Sequence, residues 1–313
     1  MDKKRFKGRD FLELVDYSQE ELHYLLETAR ELKRMDMMAL REGKPLKNKI
    51  LALLFEKPSL RTRVSFEIAV RELGGEIFYL GPQEVGLGQR EAVKDVAQVL
   101  DRMVDGLIIR TFAHENLLEV ARFASIPVIN GLSDLYHPCQ VLGDLLTLQE
   151  KKGRLQGVKI CFLGDGNNVC HSWINAASIL GLELTVSTPE RYRPSSSIWE
   201  EAQERGKKSG AQIVYEVDPQ KAIEGAEVVY TDVWASMGKE IEEEERKKIL
   251  QPYQVNSRLL SKASPEFIIM HCMPAKRGEE ITDEVMDGPH SVVVDEAENR
   301  LHAQKALLAL ILS

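Results

Sequence analysis

The sequence predicts an α/β fold of two domains, each a parallel β-sheet flanked by helices, and three observations carry that prediction. Short apolar runs rich in Val, Ile and Leu alternate with amphipathic segments at helical spacing. The alternation restarts after Lys152. A chain of 313 residues with 43% hydrophobic content is long enough to bury two cores.

In the first half the strand runs are KILALLF (49–55), EIFYL (76–80), GLIIRT (106–111) and PVINGL (127–132). In the second they are VKICFLG (158–164), ELTVST (183–188), QIVYEV (212–217), EVVYTDV (227–233), FIIMHC (267–272) and SVVVDE (291–296). Between strands, Phe66, Ala69, Val70 and Leu73 recur at i, i+3, i+4, i+7, so a helix begins near Ser59. In HPCQVLGDLLTLQEKKG the same spacing links Leu142, Leu145, Leu146 and Gln149, with Pro138 at the first helical position. This helix joins the domains. The last segment, ENRLHAQKALLALILS, is helical and apolar and is expected to cover the first domain. The expected division is residues 1–146 with helix 298–313, and residues 147–297. The acidic run KEIEEEERKK (239–248) reads as a solvated helix face or a loop.

A formal net charge of -8 argues against a general polyanion binder, because nucleic-acid affinity needs Lys and Arg spread over an extended surface. No apolar stretch approaches the length that spans a bilayer, and no apolar leader follows MDKKRFKGRD, so a cytoplasmic protein is expected. Cys139, Cys161, Cys170 and Cys272 are scattered without a CxxC pair, which suggests reduced thiols and neither a disulfide framework nor a zinc site.

Ligands of parallel α/β sheets sit beyond the carboxyl ends of the strands. In the first domain those ends deliver Glu56 to Arg63, then Arg110, then His137, Pro138, Cys139 and Gln140. In the second they deliver Gly164 to Asn168, Asp232 to Gly238, and His271 to Pro274. One domain offers mostly cations, the other amides, a carboxylate and a thiol. A helix starting at Ser59 has free backbone N–H groups and a positive dipole end, to which Arg61 and Thr62 add a planar fork and a hydroxyl. A plain Ser cap followed by surface arginines is the competing reading, and Arg110 at a second strand end shifts the balance toward an anion seat. The stretch lacks GxxxxGK[ST], so the anion is small rather than a nucleotide. His137 and Gln140 could reach a carbonyl or leaving-group oxygen, although a lone His there is often a helix cap. FLGDGNNV resembles a dinucleotide turn, with Val169 where the third glycine belongs. His271 and Cys272 are adjacent, and consecutive residues at a strand end point in opposite directions.

FEKPSLRTRVSFE, HPCQVLGDLLTL, TDVWASMG, HCMPAKRGEEIT and DEAENRLHAQKA together resemble the ordered signatures of the carbamoyltransferases, and DVWASMG with HCMPA resembles the ornithine branch. The resemblance runs nearly end to end. It implies transfer of a carbamoyl group from carbamoyl phosphate to L-ornithine, in a cleft between a carbamoyl phosphate-binding and an ornithine-binding domain. It implies that Ser59, Leu60, Arg61, Thr62, Arg110, His137, Pro138, Cys139 and Gln140 hold carbamoyl phosphate, with Cys272, Met273 and Arg300 beside the carbamoyl group. Asn168, Asp232, Ser236 and Met237 are implied to hold ornithine. Cys272 is the implied proton acceptor, with Arg61, Arg110 and His137 stabilising charge. No metal or organic cofactor is implied, and neither nucleic acid nor membrane is a partner. A trimer or a multiple of trimers is.

Three positions depart from the family pattern. Leu60 stands where many members have Thr, Gly86 where a Gln often reaches into a neighbouring subunit, and Lys276 where many have His. Gln89 is the candidate replacement for the lost contact. Rival readings are a carbamoyltransferase acting on putrescine, acylated ornithine or aspartate, a non-catalytic amino-acid or phosphate sensor, and, more distantly, a nicotinamide dehydrogenase.

Overall fold

In the computed structural model of the chain, residues 3–35, 43–235 and 243–312 are described. The chain divides into two compact units, Met1–Leu146 with Glu298–Ser313, and Thr147–Ala297.

The first unit holds a four-stranded parallel sheet: β1 (Ile50–Phe55), β2 (Glu76–Leu80), β3 (Gly106–Arg110) and β4 (Val128–Leu132), in the order β2-β1-β3-β4. β1 is buried along all but its first residue and β3 throughout, as central strands covered on both faces should be. Ala52, Leu54, Leu107, Ile109 and Val128 pack with Ala97, Leu117 and Val120 from flanking helices to form its core. Trimming one such side chain, Leu54→Ala, costs about 2–5 kcal/mol by leaving a cavity.

The second unit holds five parallel strands: β5 (Lys159–Leu163), β6 (Glu183–Ser187), β7 (Gln212–Tyr215), β8 (Val228–Thr231) and β9 (Ile268–His271), in the order β7-β6-β5-β8-β9. Leu163, Val229 and Ile269 are buried with Trp234, Tyr253 and Val255 in its core.

Both orders place a switch point next to the unit's first strand. The chain runs from β1 outward to β2 and then returns to β3, so the ends of β1 and β3 flank the first switch point. In the second unit β5 and β8 flank it. Crevices at such points are where open α/β sheets bind ligands.

Nine of the ten strand runs form strands, each ending at or within the sequence-predicted limits. The tenth, SVVVDE, does not. Ser291 makes one isolated bridge to Ile269, and a helix, Val293–Ile311, follows at once. Asp295 and Glu296 lie in its first turn, where carboxylates suit the positive dipole end. Buried Glu296 also accepts from the His271 backbone N–H at 2.8 Å and from the Tyr230 hydroxyl at 3.3 Å. The carboxylate thus closes off β9 from a helix rather than from a strand. The joining helix spans Pro138–Lys152, and the described part of the acidic run lies in a helix, Glu243–Leu250.

Candidate functional site

In the first unit, Phe55 on β1 pairs in register with Arg110 on β3, so the residues that follow are neighbours. The Glu56 carboxylate accepts from the Thr111 hydroxyl and from the Phe112 backbone N–H, and Glu56 N–H donates to Arg110 O at 2.8 Å. These bonds tie the two strand ends together. Beyond them a helix, Leu60–Glu72, begins with Ser59 in extended backbone and no hydrogen bond from the Ser59 side chain to the helix. Its far end is held by an ion pair between Glu72 and buried Lys305.

The first turn separates three tasks. Thr62 is buried. Leu60 is 73% exposed and points away from the unit's interior, so only its backbone stays with the helix terminus. Arg61 makes no ion pair among the described residues, whereas Arg63 pairs with Glu67 at 2.8 Å and stacks on Tyr79 at 3.9 Å.

His137, at the end of the connection from β4, is buried between cationic side chains. Burial, then the guanidinium charges of Arg300 and Arg110, push its pKa well below the ordinary histidine value, so the ring is neutral at neutral pH. On the next helix Gln140 Nε2 donates to Asp144 Oδ1 at 2.8 Å, and Arg300 Nη1 donates to Gln140 Oε1 at 2.8 Å. Burial raises the Cys139 thiol to about 12, so it stays protonated.

In the second unit, Leu163, Thr231 and His271 are cross-strand neighbours at the ends of β5, β8 and β9. The next residues on β8 and β9, Asp232 and Cys272, are thereby brought together: the Cys272 thiol donates to Asp232 Oδ1 at 2.9 Å. Asp232 Oδ1 also accepts from Val233 N–H at 2.7 Å, and Oδ2 accepts from Asn167 Nδ2 at 2.6 Å. Asn167 caps the helix Asn168–Leu180, its Oδ1 accepting from Val169 and Cys170 N–H. One amide therefore serves the helix with its oxygen and the carboxylate with its nitrogen.

His271 faces elsewhere. Its Nδ1 accepts from Met273 N–H at 2.9 Å, so Nε2 carries the proton and donates to buried Glu280 at 3.0 Å. Glu280 also accepts from Lys276 N–H at 2.6 Å, closing a turn in which Met273 has φ +52° and precedes a cis proline, Pro274. The ligand-capable atoms of Asp232, His271 and Cys272 lie within 4.8 Å of one another, but both imidazole nitrogens are engaged in the bonds just described.

Arg246 braces this half-site. It forms a buried ion pair with Asp165 at 2.9 Å, donates to Trp234 O at 3.0 Å and lies 4.2 Å from the centre of the Tyr192 ring. Its helix is further linked to the turn after β9 by Lys276–Glu243 at 2.8 Å and Lys247–Glu279 at 3.1 Å.

The residues singled out from sequence thus fall into two groups. Ser59, Leu60, Arg61 and Thr62 share one helix terminus; Arg110, His137, Pro138, Cys139, Gln140 and Arg300 belong to the same unit. Asp232, Cys272 and Met273 lie at adjoining strand ends of the other. Asn168 is half-buried at the first helical position, beside the Asn167 that touches Asp232. Ser236 and Met237 lie outside the described residues. Asn167, Asp144, Arg246 and Glu280 were not singled out. The N-cap preference of Asn and the i, i+4 spacing of Gln140 and Asp144 are the signals that point to two of them.

The dinucleotide turn has a different use. A side chain on Gly166 would lie 2.3 Å from the Pro194 backbone nitrogen, and Gly166 N–H donates to Tyr192 O at 2.8 Å. The glycine admits the protein's own chain, and the helix terminus behind it is occupied by Asn167. Gly86 ends a short helix, Pro82–Val85, at φ +48°, a left-handed conformation that disfavours the Gln of the family pattern. Gln89 and Arg90 are exposed in the turn that follows. No described helix is long and apolar enough to cross a membrane.

Two family models match the chain. "Aspartate/ornithine carbamoyltransferase, carbamoyl-P binding domain" matches residues 9–150, and "Aspartate/ornithine carbamoyltransferase, Asp/Orn binding domain" matches residues 156–311. The chain is 52% identical over 309 residues to an ornithine carbamoyltransferase of Pyrococcus horikoshii, covering 98% of this chain and 96% of that protein. It resembles the solved structure of the ornithine carbamoyltransferase from Pyrococcus furiosus, with TM-score 0.94, 49% identity and 98% of each chain covered. The anabolic ornithine carbamoyltransferase of Campylobacter jejuni is similar too, with TM-score 0.91, 43% identity, and 96% and 97% of the two chains covered.

Proposed function

The chain belongs to the aspartate/ornithine carbamoyltransferase family, and from that premise we propose that its two units divide one reaction between them, the first holding carbamoyl phosphate and the second L-ornithine. The protein transfers the carbamoyl group of carbamoyl phosphate to the side-chain amine of L-ornithine, giving L-citrulline and phosphate.

The observation that carries the proposed roles is the 2.9 Å bond between Cys272 and Asp232. Ornithine arrives with its side-chain amine protonated, because such an amine has a reference pKa of about 10.4. Asp232 supplies the counter-charge. Cys272 takes the amine proton as its own proton moves along the hydrogen bond to Asp232; the pair carries one negative charge before and none after. The neutral nitrogen attacks the carbamoyl carbon, and the resulting oxyanion is met by Arg61, neutral His137 and backbone N–H groups. The carbon–oxygen bond to phosphate then breaks with its electron pair on the phosphate oxygen, which Arg61 and Arg110 neutralise, and the nitrogen's second proton passes to the departing phosphate. Ser59, Thr62, Pro138, Cys139, Gln140, Met273 and Arg300 complete the first substrate's seat; Asn168, Ser236 and Met237 complete the second's.

The protein works as a homotrimer or a multiple of it, in arginine biosynthesis and in the cytoplasm. Leu60, Val64 and Ile68, at i, i+4, i+8 on one stripe, and Phe78 on edge strand β2 are exposed apolar residues of the kind a second copy covers. The exposed Gln89 and Arg90 are what the 86–91 turn offers a neighbour. Four cysteines outside any disulfide suit a reducing compartment.

Purified protein given carbamoyl phosphate with ornithine, putrescine, acetylornithine or aspartate is expected to form product with ornithine. Failure to form citrulline overturns the proposal, and product with putrescine or acetylornithine alone selects a rival.

A further inference from the structure

We infer that Asp144 is a positioning residue that fixes the amide of Gln140, and thereby makes the first unit's site selective for an acyl phosphate whose acyl group carries N–H donors. The inference rests on the proposal that Gln140 serves carbamoyl phosphate.

A glutamine amide has an oxygen that only accepts and a nitrogen that only donates, and a 180° flip exchanges them at almost no cost in shape. What chooses between the two is the chemistry at each end. Arg300 can only donate, so the end facing it, at 2.8 Å, must be the oxygen. Asp144, as a carboxylate, can only accept, so the end facing it, at 2.8 Å, must be the nitrogen. Both partners demand the same orientation. All three side chains are buried, with Asp144 at 0% and Arg300 at 3% exposure, so water does not readily replace either partner.

Asp144 is four residues beyond Gln140 on the helix Pro138–Lys152, on the same helical face, and this rigid element sets the distance. The orientation places the amide oxygen on the side of Arg300, whose charge also acts on His137. An oxygen there accepts an N–H of a carbamoyl group. An amide nitrogen there would face it donor to donor, and an acetyl group, with methyl in place of NH2, gains nothing from either orientation.

The test uses two hydrolysis-proof phosphonates of one shape, phosphonoacetamide with an NH2 and acetonylphosphonate with a methyl in its place. Their dissociation constants are measured by calorimetry on the full chain, with thermal melting as a check of folding. The intact protein should bind phosphonoacetamide at least about tenfold more tightly. Asp144→Leu, which leaves the buried amide nitrogen without its acceptor, should weaken phosphonoacetamide by about tenfold and acetonylphosphonate by less than about threefold. Asp144→Asn, whose carbonyl oxygen still accepts, should keep most of the preference. Should Asp144→Leu not fold, Gln140→Glu provides the second route. That change sets two carboxylates against each other and weakens phosphonoacetamide, and adding Asp144→Asn, a donor to the new carboxylate, should recover about tenfold. Equal loss of both ligands in Asp144→Leu, an unchanged preference, or no recovery in the double variant overturns the inference. An intact protein that binds neither phosphonate contradicts the carbamoyl phosphate assignment itself.

Discussion

The two units use the same topological place in opposite ways. Each has a helix that starts just beyond its first strand at a switch point, Leu60–Glu72 after β1 and Asn168–Leu180 after β5. In the first the Ser59 side chain leaves the helix end uncapped, and Arg61, without an ion pair among the described residues, and the buried Arg110 add positive charge to the unit. In the second the helix end is consumed by Asn167, whose other end orients a carboxylate and, through it, a thiol. A helix terminus is therefore an anion seat only where the sequence leaves its N–H groups unspent. A chain with net charge -8 still sets Arg61 beyond β1 and Arg110 at the end of the adjoining β3.

The comparison can be broken from either side, and the largest effect is expected at the brace of the second unit. Arg246→Met leaves Asp165 charged and buried without its partner, and should cost about 3–5 kcal/mol of unfolding free energy in denaturant titration. Asn167→Ala removes a helix cap and an Asp232 partner together. It should cost about 1–2 kcal/mol and raise the KM for ornithine while leaving phosphonoacetamide binding unchanged, as calorimetry can check.

On the other side, His137 stays neutral to lower pH in the folded first unit than in the unfolded chain. Its pKa is depressed on folding, so the unfolded chain binds a proton first as pH falls through about 6.5, and stability is lost below that point. His137→Asn should remove a slope of at most about 1.4 kcal/mol per pH unit from stability measured below pH 6.5. His114 and His302, whose pKa values burial also lowers, retain their share of the slope in the variant. The smallest effect is expected at Leu60. Its exposed side chain contributes no hydroxyl, and the backbone remains, so Leu60→Thr should change the KM for carbamoyl phosphate by less than about threefold.

Much of this arrangement is legible in the sequence, and for identifiable reasons. Buried parallel strands are continuous β-branched runs, and the residues after them are the ones that face ligands. SVVVDE misleads because a run of valines reads as a strand, whereas Val292 and Val293 are buried and Val294, one residue into the helix, is exposed; the carboxylates after them carry the distinction. Asn167 and Asn168 cannot be told apart without the register of β5 against β8. Arg246 sits in a run of charges that reads as solvated, yet it is 4% exposed, because its partners Asp165 and Trp234 come from other strand ends. Asp144 is hidden for the opposite reason, as a carboxylate inside the apolar stretch 141–146, whose spacing to Gln140 acquires meaning only once Arg300 is placed beside it.

The division of labour is tested most directly by one crossed measurement, phosphonoacetamide binding and the kcat/KM for ornithine in Arg61→Ala and in Asp232→Ala. Arg61→Ala should weaken phosphonoacetamide by about a hundredfold, the loss of a charge-assisted contact to the phosphonate. Asp232→Ala should leave that binding within about threefold of the intact protein and lower kcat/KM for ornithine by a hundredfold or more. Equal weakening of phosphonoacetamide by both substitutions would contradict it.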